Sequence, residues 1–91
     1  MDWVILVTDD YEDWFFTLND AEQVDVQAMI DVLEIKGPGL GRPQADTLKG
    51  TKALKNLKEL RIQHDGKPFR VFYAFDPKRQ AVLLCGGRKD G

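Results

Sequence analysis

Arg61 and Arg70 stand in neighbouring apolar runs on either side of an Asp-Gly pair, and their chemistry suits them to phosphate. A guanidinium offers parallel N–H donors that match two phosphate oxygens and stabilise charge developing on a phosphoryl group. RNA carries its own nucleophile, the 2′-hydroxyl. A protein can therefore cleave RNA by aligning that hydroxyl with the next phosphate and neutralising the transition state, without a metal. Lys89 is a third cation fit for the task, and His64, between the two runs, is a candidate acid or base. Each has a plainer alternative. The arginines could pair across strands with Glu59 or another carboxylate, and His64 could be a solvated turn residue; spacing alone does not decide.

Other chemistries lack their residues. One histidine and one cysteine cannot form a His/Cys metal cluster, and a chain without serine has no Ser-His-Asp triad. Neither a GxxxxGK[ST] loop nor a GxGxxG following a strand is present. Cys85 closes an apolar run and is expected in the core, with no partner for an internal disulfide. No metal and no cofactor is expected, and a reducing compartment suits the lone thiol.

The elements that must position the arginines centre on Leu57–Asp76. Side chains alternate across a strand, so Leu60 and Ile62 share one face, as do Phe69, Val71, Tyr73 and Phe75. Arg61 and Arg70 then project together from the opposite face of a β-hairpin. Its connection, Gln63 to Pro68, reads as somewhat longer than the tightest two-residue turns. Upstream, Trp3–Val7 predicts a strand, and Thr8, Asp9 and Asp10 offer caps for a short helix carrying Tyr11, Trp14, Phe15 and Leu18. Asn19 and Asp20 cap a second helix with an apolar stripe of Val24, Ala28, Met29, Val32 and Leu33, ending near Lys36 before Gly37-Pro38-Gly39. Residues 37–43 read as a flexible connection. Lys49, Lys52, Lys55 and Lys58 recur every three residues in a stretch where Gly50 favours irregular structure, and a solvated basic loop is the plainer alternative. Pro77-Lys78-Arg79 predicts a turn into a last strand, Ala81–Cys85. The order β-α-α-β-β-β implies an α+β fold: a small, largely antiparallel sheet with a helical hairpin on one face.

Ninety-one residues, 43% hydrophobic and 31% charged, are expected to form a single domain spanning 1–91. The net charge of −2 hides a split. Residues 1–36 hold ten acidic side chains and one basic, giving −9, while residues 37–91 hold twelve basic and five acidic, giving +7. One acidic and one basic surface follow. The apolar runs fall far short of the ~20 residues needed to cross a bilayer. Met-Asp-Trp lacks a basic leader region, so no membrane association and a cytoplasmic location are expected.

The run LKELRIQHDGKPFRVFYAFD followed by AVLLCGGRK resembles the RelE/HigB superfamily of bacterial and phage toxins, most closely its HigB-like, phage-related branch. The resemblance rests on Leu48-Lys49-Gly50, Glu59-Leu60-Arg61, Phe69-Arg70-Val71-Phe72-Tyr73, and Val82-Leu83-Leu84 leading to Arg88-Lys89. It covers residues 46–89 and extends to the amino-terminal helices in order and length. It implies a RelE-like microbial RNase fold and a toxin that cuts mRNA in the ribosomal A site without a metal. It also implies a co-encoded antitoxin of the HigA-like helix-turn-helix kind, expected to cover the basic half. By the same resemblance Arg70 contacts the scissile phosphate, Arg61 matches the arginine of the family's ELR strand, and Lys89 or Arg88 matches the basic residue after the last strand. Lys49, Lys52, Lys55, Lys58 and Lys67 then form the surface that approaches ribosomal RNA. Phe69 stands where the family more often has tyrosine. Members usually continue into a C-terminal helix with a further catalytic side chain, a segment expected to be missing from these 91 residues. Two other readings share the fold: a gyrase poison of the ParE type, which lacks this set of arginines and lysine, and a non-enzymatic binding module for nucleic acid or protein.

Overall fold

The computed structural model describes residues 2–48 and 57–88. The chain runs through β1 (Val4–Val7), α1 (Asp9–Phe15), α2 (Asp20–Lys36), β2 (Ala45–Thr47), β3 (Lys58–His64), β4 (Lys67–Asp76) and β5 (Gln80–Arg88). The strands form one sheet in the order β1-β5-β4-β3-β2, in which only the β1–β5 pair is parallel. This is the expected α+β architecture, with one strand more than the sequence reading. The addition, β2, is three residues long and pairs Ala45 with Leu60, too short for any alternation to announce it.

Both helix starts are built by the residues expected to cap them. Thr8 Oγ1 accepts from the Tyr11 amide at 3.1 Å, and its hydroxyl donates to the Leu84 carbonyl at 2.6 Å, tying α1 to β5. Asn19 and Glu22 form a reciprocal capping box at 2.8 and 2.9 Å. Of the anticipated stripe of α2, Leu33 is buried and Met29 and Val32 pack against the core, but Val24 is 67% exposed and Val26 and Ile30 are buried in its place. Val24 lies two residues, about 200° of helical turn, from Val26, so only one of them can face the sheet. The core joins this stripe to Leu60, Ile62, Phe69, Val71, Tyr73, Ala81 and Leu83, the inward row of β3, β4 and β5.

Two glycines seat two tryptophans. A Cβ on Gly86 would lie 2.3 Å from Trp14, and one on Gly37 (φ +53°) would lie 2.2 Å from Trp3. The indoles thus lock α1 onto β5 and the end of α2 onto the segment before β1. The connection after α2, expected to be flexible, begins with a 3₁₀ turn over Gly37–Gly39 that buries Leu40. The β3–β4 connection is tighter than expected. Only Asp65 and Gly66 lie outside the strands, with φ of +46° and +75°, the two-residue hairpin that positive φ at both positions permits. Polar Gln63, His64 and Lys67 continue the ladder because it is made by backbone groups. Among the described residues no helix is long and apolar enough to cross a membrane.

Candidate functional site

The hairpin register sets Arg61 directly opposite Arg70. Both project from the face opposite the α2 stripe, as their alternation with Leu60, Ile62, Phe69 and Val71 requires. Like charges placed opposite one another across strands repel, and the structure shows what holds them. Glu59, on the same face of β3, is 2% exposed. Its Oε1 accepts from Arg61 Nε at 2.9 Å, while Oε2 lies 3.4 Å from Arg70 Nη1, within ion-pair range but without hydrogen-bond geometry. Asp46 on β2, the register partner of Glu59, adds a contact of 3.5 Å to Arg61 Nη2 and a closer one of 3.1 Å to Arg42 Nη2. The hydrogen bond from Arg42 holds the Asp46 carboxyl below the usual carboxylate range, helped by the Thr47 amide and the charge of Arg61.

Three guanidinium groups and two carboxylates leave this cluster at +1. The arginines are therefore both paired, the plainer alternative for their spacing, and gathered at one place with a positive surplus. Arg61 is 44% and Arg70 30% exposed, so both remain in reach of a ligand. On the β5 side Arg70 faces Gly87, where even an added Cβ would meet nothing within 4 Å among the described residues. Beyond it, on the same face, an apolar hollow of about 490 Å³ is lined by Phe72, Leu84, Cys85, Leu57, Thr8 and Asp10.

Other candidates lie elsewhere. His64 shares strand parity with Leu60 and Ile62 and so belongs to the helix side, where its Nδ1 hydrogen-bonds Asp25 Oδ2 of α2. The side chain is 12% exposed. It is neither a solvated turn residue nor a neighbour of the arginines. Lys67, its register partner, reaches Glu22 Oε2 of α2 at 3.5 Å. Lys58 also falls on the helix side and donates to Thr47 Oγ1 at 2.9 Å. Arg88 pairs in register with Phe69, on the opposite side from the arginine pair. Lys49, Lys52, Lys55 and Lys89 lie outside the described residues.

Cys85 is exposed, not core, because the register sets it opposite Phe72 on the face opposite the α2 stripe. An irregularity between Phe72 and Tyr73 shifts the β5 register by one residue there, reversing the parity that the plain sequence suggests. Partial burial and the nearby Asp10 push its thiol upward, away from the reactive thiolate. Among the described residues no cluster of three or more metal-ligating side chains occurs. The residue of this cluster that the sequence offers only as a pairing partner, and not as a candidate in its own right, is Glu59. Its sequence signal was its parity with Arg61, two positions along the same strand.

Comparison with known proteins agrees with this fold. The family described as phage-derived protein Gp49-like matches residues 13–91. HigB3 of Mycobacterium tuberculosis, classed by name as a toxin, is 44% identical over 87 residues, covering 96% of this chain and 74% of HigB3. HigB2 of the same organism, also classed as a toxin, is 49% identical over 67 residues, 72% of this chain and 33% of HigB2. The fold is shared with the toxin–antitoxin complex RelBE2 of M. tuberculosis at a TM-score of 0.70 and 14% identity, covering 98% of this chain and 100% of the matched one. It is shared too with the archaeal RelE–RelB complex of Pyrococcus horikoshii at 0.68 and 20%, covering 97% and 96%. Sequence and fold together make the chain a member of the phage-derived Gp49-like family, within the RelE/HigB superfamily of toxins.

Proposed function

We propose that this toxin is a ribosome-dependent endoribonuclease that cuts mRNA by using the RNA 2′-hydroxyl as nucleophile. The observation that carries the reading is the in-register pair of Arg61 and Arg70 on the face opposite the α2 stripe, partly exposed and, among the described residues, uncrowded beside Gly87. Two guanidinium groups side by side can hold a phosphodiester and neutralise the extra charge of its pentavalent transition state, the role that preorganised donors play in phosphoryl chemistry. Arg70, the less tightly held of the two, contacts the scissile phosphate; Arg61 orients it.

Lys89 remains a third catalytic cation, and Lys49, Lys52 and Lys55 a basic approach surface for ribosomal RNA, on sequence grounds. His64 leaves the catalytic set, since its partner is Asp25 on the other face. The scheme needs no metal, and translation in the cytoplasm is the process it would stop. An antitoxin would silence the protein. The structural neighbours are complexes of RelE toxins with RelB, which supports a partner of that role, and the HigB relatives favour one of the HigA-like helix-turn-helix kind.

The test is primer extension on mRNA from programmed ribosomes incubated with the partner-free protein, with naked mRNA and Arg70→Ala alongside. Ends mapping to the A-site codon, dependent on the ribosome and reduced about a hundredfold or more by Arg70→Ala, are expected from the loss of one transition-state donor. A binding module would give no ends, and Arg70→Ala would only weaken its affinity and lower its salt slope by about one counterion.

A further inference from the structure

The structure assigns Glu59 as the positioning residue of the arginine pair: a buried carboxylate that fixes Arg61 and leaves Arg70 able to move to the phosphate. The inference rests on the nuclease reading. At 2% exposure Glu59 cannot reach a substrate, so it is neither the base that would take the 2′-hydroxyl proton nor a ligand for RNA. Its two oxygens are used unequally. Oε1 takes a hydrogen bond of 2.9 Å from Arg61 Nε, whereas Oε2 has no hydrogen-bond partner among the described residues and stands 3.4 Å from Arg70 Nη1. A buried carboxylate oxygen is normally satisfied, and an orphan one is costly. Here the orphan attracts Arg70 by charge without binding it in one geometry. Arg61 is thus clamped from below by Glu59 and approached from the side by Asp46 at 3.5 Å, while Arg70 meets no such second carboxylate among the described residues and faces Gly87, which has no side chain.

Glu59 also sets the charge. Without it, Arg61 and Arg70 would face each other as bare like charges across the hairpin. With it, the pair carries one net positive charge rather than two. That surplus matches a single phosphodiester in the ground state, and the second guanidinium is released from its ion pair as negative charge grows in the transition state. Replacing the carboxylate should therefore leave RNA binding equal or stronger while slowing cleavage.

Glu59→Gln keeps the shape and an acceptor for Arg61 but removes the charge. Two quantities are read: single-turnover cleavage on programmed ribosomes, and binding of a non-cleavable 2′-O-methyl oligouridylate by titration calorimetry. Cleavage should fall about tenfold to a hundredfold, the loss expected when a reacting group is held slightly out of place. Oligonucleotide binding should stay equal or tighten. Binding and cleavage unchanged together, or falling together in proportion to the folded fraction, would overturn the assignment. A third readout needs no variant: by nitrogen-15 NMR of the native protein, the Arg61 Nε–H should exchange with water at least tenfold more slowly than the Arg70 Nε–H. Equal, free-guanidinium rates at both would reject the clamp even if Glu59→Gln failed to fold. A native protein that does not cut ribosome-bound mRNA would strike the nuclease reading alone, leaving the exchange rates to judge Glu59.

Discussion

At the scale of single residues, polar groups in this protein fall into those that are matched and those that are not. Tyr73 is fully buried, and its hydroxyl finds no hydrogen-bond partner among the described residues. Desolvation pushes that phenol up to about 12. An unsatisfied buried hydroxyl costs roughly 1–3 kcal/mol. Tyr73→Phe, which keeps the ring and its edge contact with Phe75, should raise stability by about 1 kcal/mol in urea denaturation; a loss of that size would reveal a partner for the hydroxyl. The arginines behave in the opposite way. Arg61→Lys keeps the charge but loses the Nε–H that meets Glu59, so cleavage should drop about tenfold or more although the charge count is unchanged. What was legible here was the parity of Arg61 and Arg70, since a strand has only two faces. Burial of Glu59 was not, because alternation along β3 places it on the same face as the half-exposed Arg61 and carries no sign that the two differ in exposure. The place of His64 was open to the same alternation, but reading it needed strands that run to within one residue of the Asp-Gly turn.

Among the elements, two contacts decide how the helices meet the sheet. One is the tip of the β3–β4 hairpin, where His64 and Lys67 reach Asp25 and Glu22 on the first half of α2. The other is the seat of Trp14 on Gly86, beside Phe69. Gly86→Ala would drive a methyl into the indole and should lower stability by about 1–3 kcal/mol, measured as a fall in the urea midpoint at unchanged slope. Asn19→Ala removes the side-chain half of the α2 capping box, with an expected cost of about 1 kcal/mol by the same measurement. Element order and both helix caps were visible in the sequence because they are local. The stripe of α2 was legible in Met29, Val32 and Leu33 but not at its centre, because apolar residues occur on several sides of the helix: Val24 and Ile35 are as hydrophobic as Val26 and Ile30, and only the sheet chooses between them.

For the whole molecule, the acidic first third and basic remainder meet rather than separate. Glu22 is held below its usual value of 4.5, chiefly by the Asn19 amide and then by Lys67 and His64, residues of the basic half. Asp46 is likewise held below 3.8 by Arg42. A carboxyl lowered by folding binds protons more readily in the unfolded chain, so its contribution is complete above the unfolded value and lost as pH falls through the folded one. Urea midpoints should therefore decline from about pH 5 downward through pH 3, and Glu22→Gln should flatten that decline. A midpoint indifferent to pH over this window would mean that these contacts do not stabilise the fold. The expected charge halves were thus real in sequence, but their partial mutual neutralisation depends on the hairpin folding back over α2, a long-range event that no local pattern encodes.

The parallel pairing of β1 with β5 has a consequence in time. Val4 to Val7 are made more than seventy residues before the segment they pair with, residues 80–83. Closing so long a loop is slow and entropically opposed until both strands are present. The nascent chain therefore carries an apolar strand without its partner until β5 is made, while Arg70 lacks the β5 neighbour that completes its face. On the function proposed above, the toxin leaves its own ribosome with the Arg61–Arg70 face unfinished, assembled only once β5 is free to join the sheet.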